Sequence, residues 1–138
     1  MVQIQIRYEG GLRCKATHGP SGQTLLTDAP VDNQGQGESF SPTDLLATSV
    51  GTCMLTIMGI VAERHGWDLV GSEVIVEKKM VAEPTRRIGE LDVVIRVPAD
   101  LDDNARAALE RAAGTCPVHA SLGPDVSVPV RFEWGVTL

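Results

Sequence analysis

A chain of 138 residues can bury one ordinary hydrophobic core without disulfides or a structural metal, so a single domain spanning residues 1–138 is expected. The formal net charge of -6, with lysines and arginines scattered along the chain, excludes the concentrated basic footprint of a nucleic-acid binder. Met1 to Arg7 lacks the charged start and continuous apolar run of a secretory signal, which predicts a cytoplasmic protein.

Val2, Ile4, Ile6 and Tyr8 alternate with polar residues, and Leu12, Cys14 and Ala16 resume the alternation after Gly10-Gly11. This pattern predicts an N-terminal hairpin. A short apolar stretch, Thr24 to Thr27, adds a third strand, and the Gly-, Asp-, Asn- and Gln-rich segment Asp28 to Phe40 reads as a loop. Ser41-Pro42-Thr43-Asp44 is a helix start, with Ser41 as cap, Pro42 in the first helical position and Asp44 able to bond back to the cap. The helix is expected to run to about His65 and to end at Gly66. It is apolar on nearly all sides, which places it at the centre of the fold or of an oligomer. Thr48, Ser49, Gly51, Thr52, Thr56 and Gly59 interrupt its most apolar stretch, so it reads as a core helix and not a membrane span.

Val74, Val76, Lys78 and Met80 form one face of a strand, and Leu91, Val93, Ile95 and Val97 do so in another beyond the turn-like Glu83-Pro84-Thr85. A second hairpin follows from this. Leu101, Ala105, Ala108, Leu109 and Ala112 recur at helical spacing between Asp100 and Ala113, with Gly114 as the stop. Cys116-Pro117 then opens a short helical stretch, and the strict alternation from Val126 to Val136 predicts a final strand with a free edge at Pro129. Hairpins joined by helices predict an α+β fold with antiparallel sheets.

Chemistry centres on the cysteines. In a reducing cytosol Cys14, Cys53 and Cys116 are free, metal-bound or redox-active rather than a disulfide framework. Taken alone, Cys53 in an apolar helix reads most simply as a small core residue. Cys116, before the first helical proline, meets unpaired N–H groups that favour a thiolate. A zinc site drawn from Cys14, His18, Cys116 and His119 lacks a C-x-x-C pair, and no metal or other cofactor is expected.

Two motifs carry a resemblance. Ser41 to Cys53, SPTDLLATSVGTC, resembles the segment of the OsmC/Ohr family in which a Ser/Asn-Pro step opens a long helix bearing the reactive cysteine. Cys116-Pro117-Val118 resembles that family's Cys-Pro-Val/Ile motif, and the predicted order of elements agrees along nearly the whole chain. The resemblance implies an intertwined homodimer in which antiparallel sheets surround long central cysteine-bearing helices, with sites at the subunit interface. It also implies a two-cysteine peroxidase reducing small organic hydroperoxides: Cys53 becomes a sulfenic acid, Cys116 condenses with it, and an external dithiol or lipoyl-type reductant resets the pair. Arg13, in Gly10-Gly11-Leu12-Arg13, is similar to the arginine that contacts the reactive thiol in the family.

One departure concerns the acid that holds this arginine. The Ohr branch has glutamate directly after the helix-opening proline, where this chain has Thr43, with Asp44 one place later as in more divergent members. Asp44 is therefore both a candidate orienter of Arg13 and a helix cap, with Glu38 a weaker substitute, and Cys14 is assigned a structural role. The departure leaves a second reading open, a non-catalytic dimeric binder of small molecules on the same fold.

Overall fold

The computed structural model describes residues 1–136. The chain divides into two compact units, Met1–Leu46 and Ala47–Leu138, with the boundary inside the first turns of the long helix.

In the first unit, strands β1 (Ile4–Gly10), β2 (Arg13–His18) and β3 (Thr24–Thr27) form an antiparallel sheet in the order β1-β2-β3. Gly10 pairs with Arg13, so the turn consists of Gly11 and Leu12 alone, with φ of 62° and 64°. Positive φ at both central positions matches the right-handed twist of the strands. Glu9 is the extra residue of a bulge between the Tyr8–Cys14 and Gly10–Arg13 pairs. The alternation in β1 is that of a half-buried strand, yet Ile4, Ile6 and Tyr8 are 58, 65 and 63 % exposed in the single chain.

The loop after β3 contains a turn of 3-10 helix, Val31–Asn33, and is tied at its ends. The Asp28 N–H donates to Phe40 O at 3.0 Å, and Ser39 Oγ donates to Leu26 O at 2.8 Å. A Cβ at Gly35 would overlap the Ala29 carbonyl oxygen, so only glycine fits where the loop folds back on itself.

Helix α1 (Pro42–His65) has the predicted ends. Asp44 Oδ2 accepts from the Ser41 N–H at 2.9 Å while the Asp44 N–H donates to Ser41 Oγ at 3.1 Å, a reciprocal capping box. At the other end Gly66 takes φ +73°, and the N–H groups of Trp67 and Gly66 donate to Ala62 O and Glu63 O. These bonds satisfy carbonyls that would otherwise be orphaned. Although α1 is long and apolar enough to cross a membrane by length and composition, Val50, Gly51, Met54 and Met58 form a buried stripe. The helix is part of a protein core.

The second unit contains β4 (Glu73–Val81), β5 (Arg87–Val97), α2 (Asp103–Ala113), α3 (Pro117–Ala120) and β6 (Val130–Trp134). Helix α1 approaches β4 closely: a Cβ at Gly51 would lie 2.9 Å from Val76 Cγ2 and 3.3 Å from Val74 Cγ1. Strands β4 and β5 are antiparallel, with Gly89 inserted as a bulge between the Lys79–Glu90 and Met80–Ile88 pairs. The bulge shifts the buried series of β5 from Leu91, Val93, Ile95 and Val97 to Ile88 instead of residue 89.

The expectation of antiparallel sheets fails at one place. Strand β6 lies parallel to β5, so the sheet β4-β5-β6 is mixed. The reason is the connection, since α2 and α3 carry the chain back along the sheet and β6 starts from the same end as β5. The strand is also shorter than the alternation from Val126 to Val136, and Ser127 makes only an isolated bridge to Glu90. At the edge, Pro129 O accepts from the Val93 N–H at 2.9 Å, leaving the ring that lacks an N–H without a ladder to break.

Helix α2 is capped by Asp102, whose Oδ1 accepts from the Ala105 N–H at 2.8 Å. Its Leu109 is fully buried. Leu109→Ala is therefore expected to lower stability by about 3 kcal/mol. Urea unfolding followed by Trp fluorescence measures it, and a loss below about 1 kcal/mol would contradict the placement of Leu109 in this core.

Candidate functional site

Two of the three cysteines meet within the second unit. Cys53 lies half-buried on α1, and Cys116 is 1 % exposed at the cap position of α3. The Cys116 N–H donates to Ala113 O, Pro117 occupies the first turn of α3, and Cys116 Sγ accepts from the His119 N–H at 3.3 Å. This local geometry directs the thiol inward, and Cys116 and Cys53 stand within hydrogen-bonding reach, both as free thiols.

The helix-start setting of Cys116 by itself favours partial ionisation. Its pKa is instead raised above the ordinary thiol value of 9.0. Burial is the largest cause; the hydrogen bond and the charge of Cys53 add to it, and the N–H groups of His119 and Val118 oppose it. With only four residues, α3 has too few aligned peptides to overcome desolvation. Cys116 is thus held as the protonated donor beside Cys53.

Because the neutral thiol is the favoured form in the folded state, the folded protein keeps a proton that the unfolded chain releases near pH 9.0. The stabilisation is complete below that value and is lost as pH rises through the raised folded pKa. Cys116→Ala is therefore expected to flatten the alkaline fall in stability, and urea midpoints between pH 8 and 10.5 test this. Identical slopes in wild type and variant would assign the titration elsewhere.

The first unit presents a second cluster. Arg13, at the start of β2, makes an ion pair with the exposed Glu38 and stands 3.6 Å from Asp28 Oδ2. Both acids favour its charged form, Glu38 most. Asp28 is 1 % exposed, and its Oδ2 also accepts from the Glu38 N–H at 3.1 Å. Sequence reasoning placed Glu38 beside Arg13 as a substitute acid but missed Asp28. The available signal was an acid directly after the apolar strand Thr24–Thr27, where a charge needs a partner. Asp44 closes the cap of α1. Cys14 pairs with Tyr8 and Thr27 across the sheet as an ordinary strand residue. Among the described residues no group of three or more His, Cys, Asp or Glu is arranged to hold a metal ion.

The family model for OsmC-like protein matches residues 35–131, which includes both Cys53 and Cys116. The chain belongs to the OsmC-like family. A crystal structure from Psychrobacter arcticus 273-4, of a protein provisionally described as an osmotic stress induced and detoxification response protein, is 45 % identical. The match covers 96 % of each chain with a TM-score of 0.91. The OsmC fold is also shared with an organic hydroperoxide resistance protein OsmC from Legionella pneumophila, at 17 % identity, TM-score 0.76 and 96 % coverage of both chains. An OsmC-like protein from Mycoplasma pneumoniae is similar at 13 % identity and TM-score 0.81, over 97 % of this chain and 96 % of that one. No curated protein matches the sequence.

Proposed function

We propose that this OsmC-like protein is a thiol peroxidase that reduces organic hydroperoxides with Cys53 as nucleophile and Cys116 as resolving thiol. The observation that carries this reading is the contact between the half-buried thiol of Cys53 and the buried, protonated thiol of Cys116 in a chain of this family.

The Cys53 thiolate attacks the terminal oxygen of R–O–OH, the O–O bond breaks, and the alkoxide takes a proton and leaves as ROH. Cys53 is then a sulfenic acid. Cys116 attacks that sulfur and loses its proton to the departing hydroxide, so a disulfide and water form. A dithiol of lipoyl type returns both thiols, and no bound cofactor enters the cycle. By the family resemblance Arg13 is assigned as the source of the positive charge that a thiolate requires in an apolar setting, and its guanidinium pairs with Glu38 and Asp28. Asp44 contributes indirectly, by fixing the start of the helix that bears Cys53.

The working form in this reading is a homodimer in the cytoplasm, and the dimer is supported by Ile4, Ile6 and Tyr8, an apolar strand face that the single chain leaves open. Light scattering at micromolar concentration is expected to give twice the chain mass of 14.7 kDa. A monomeric mass would remove the interface from the proposal.

The direct test of the chemistry is a thiol count before and after one equivalent of cumene hydroperoxide. Loss of two thiols per chain is expected, and an unchanged count would overturn the peroxidase reading.

A further inference from the structure

We infer that Asp28 is a positioning residue for Arg13: its buried carboxylate sets where the guanidinium lies, while its hydrogen bonds close the loop that carries Glu38. The consequence for Cys53 rests on the peroxidase reading; the placement of Arg13 does not.

Arg13 faces two acids of different character. Glu38 makes the closer contact, but its side chain is 55 % exposed and sits on the loop segment after Gly37. An exposed ion pair contributes little and is screened by salt. Asp28 is the opposite case. Its carboxylate is 1 % exposed, and its backbone N–H is bonded to Phe40 O. Its Oδ2 accepts from the Glu38 N–H at 3.1 Å and stands 3.6 Å from Arg13 Nη2. Among the described residues Oδ1 has no hydrogen-bond partner.

A carboxylate removed from water with one oxygen unsatisfied requires a fixed counter-charge, and Arg13 is the cation beside it. At 3.6 Å the contact acts through charge more than through a directed hydrogen bond. The same oxygen determines where Glu38 returns to the arginine. One buried acid therefore fixes both partners of the exposed ion pair.

This division of roles makes Asp28→Asn an informative variant, because the amide oxygen can still accept from the Glu38 N–H while the charge facing Arg13 disappears. The full chain is used, with cumene hydroperoxide as substrate, dithiothreitol as reductant, and the Arg13 Nε–Hε signal read by NMR. Asp28→Asn is expected to move that signal and to lower kcat/KM by roughly tenfold or more, since small displacements of a positioned group are costly. Glu38→Gln is expected to lower kcat/KM by about fivefold or less, as for an exposed pair. In the wild-type protein the Arg13 signal should stay in place between about 0.05 and 0.5 M NaCl, because the Asp28 carboxylate that faces the partly exposed guanidinium is itself shielded from solvent ions.

An Arg13 signal that is unchanged in Asp28→Asn would overturn the inference. So would a wild-type signal that drifts with salt, a measurement that decides the matter even where the variant fails to fold. A wild-type protein that consumes no hydroperoxide would overturn the peroxidase reading alone, because the Arg13 signal reports its placement without turnover.

Discussion

Cys53→Ser is expected to abolish hydroperoxide reduction, with a rate loss of about 10³-fold or more, because a serine hydroxyl cannot form the sulfenic acid on which the cycle turns. Cys116→Ser is expected to behave differently. Its first oxidation survives, but Cys53 has no adjacent thiol to condense with, so sulfenic and then sulfinic acid accumulate. The buried position of Cys116 and its contact with Cys53 motivate the contrast. Bridge formation requires α-carbons within about 7 Å, a condition that thiols in hydrogen-bonding reach can meet with little rearrangement. Peptide mass spectrometry after one equivalent of peroxide reads the result. A dominant bridge to Cys14, or equal behaviour of the two serine variants, would refute the assignment of nucleophile and resolving thiol.

The second large effect is expected at Gly51, where α1 meets β4. A Cβ there already falls 2.9 Å from Val76 Cγ2 and 3.3 Å from Val74 Cγ1, both branched side chains on a strand with little freedom to turn aside. Gly51→Leu is expected to cost about 3 kcal/mol, near the upper end for overpacking. Gly51→Ala should cost much less, because alanine regains about 1 kcal/mol of helix propensity while it forces a smaller shift. Urea midpoints of the two variants measure the difference. Equal stability of Gly51→Leu and wild type would show that α1 does not pack on β4 at this point.

Gly51 also shows why part of the fold was not legible in the sequence. In the apolar run of α1 it reads as an interruption, and only the approach of Val74 and Val76 explains why a helix carries the least helical residue but proline there. The direction of β6 is a similar case. Its alternation announced a strand, but side-chain period is the same in parallel and antiparallel pairs, so the pattern was silent about direction. The ionisation of Cys116 is a third case, for another reason. Its place before Pro117 was read correctly as a helix start, whereas its burial depends on residues far away in the chain and outweighs the local field. Asp28 was hidden in a polar loop, where one acid among several looks solvated until the fold buries it.

By itself the sequence determined the things that depend on local chemistry: the N-terminal hairpin, though its turn falls one residue later at Gly11-Leu12, the capped start of α1 at Ser41 and Asp44, its stop at Gly66, and the order of elements. It also determined the family, because the segment from Ser41 to Cys53 and the Cys116-Pro117-Val118 motif are contiguous and need no tertiary knowledge. Tertiary structure alone decided which side chains stand beside one another within each unit. It brought Cys53 and Cys116 together across 62 intervening residues, raised the pKa of one of them by burial, and placed Asp28 beside Arg13. Burial and through-space charge depend on what the whole chain encloses, and no local pattern of residues encodes them.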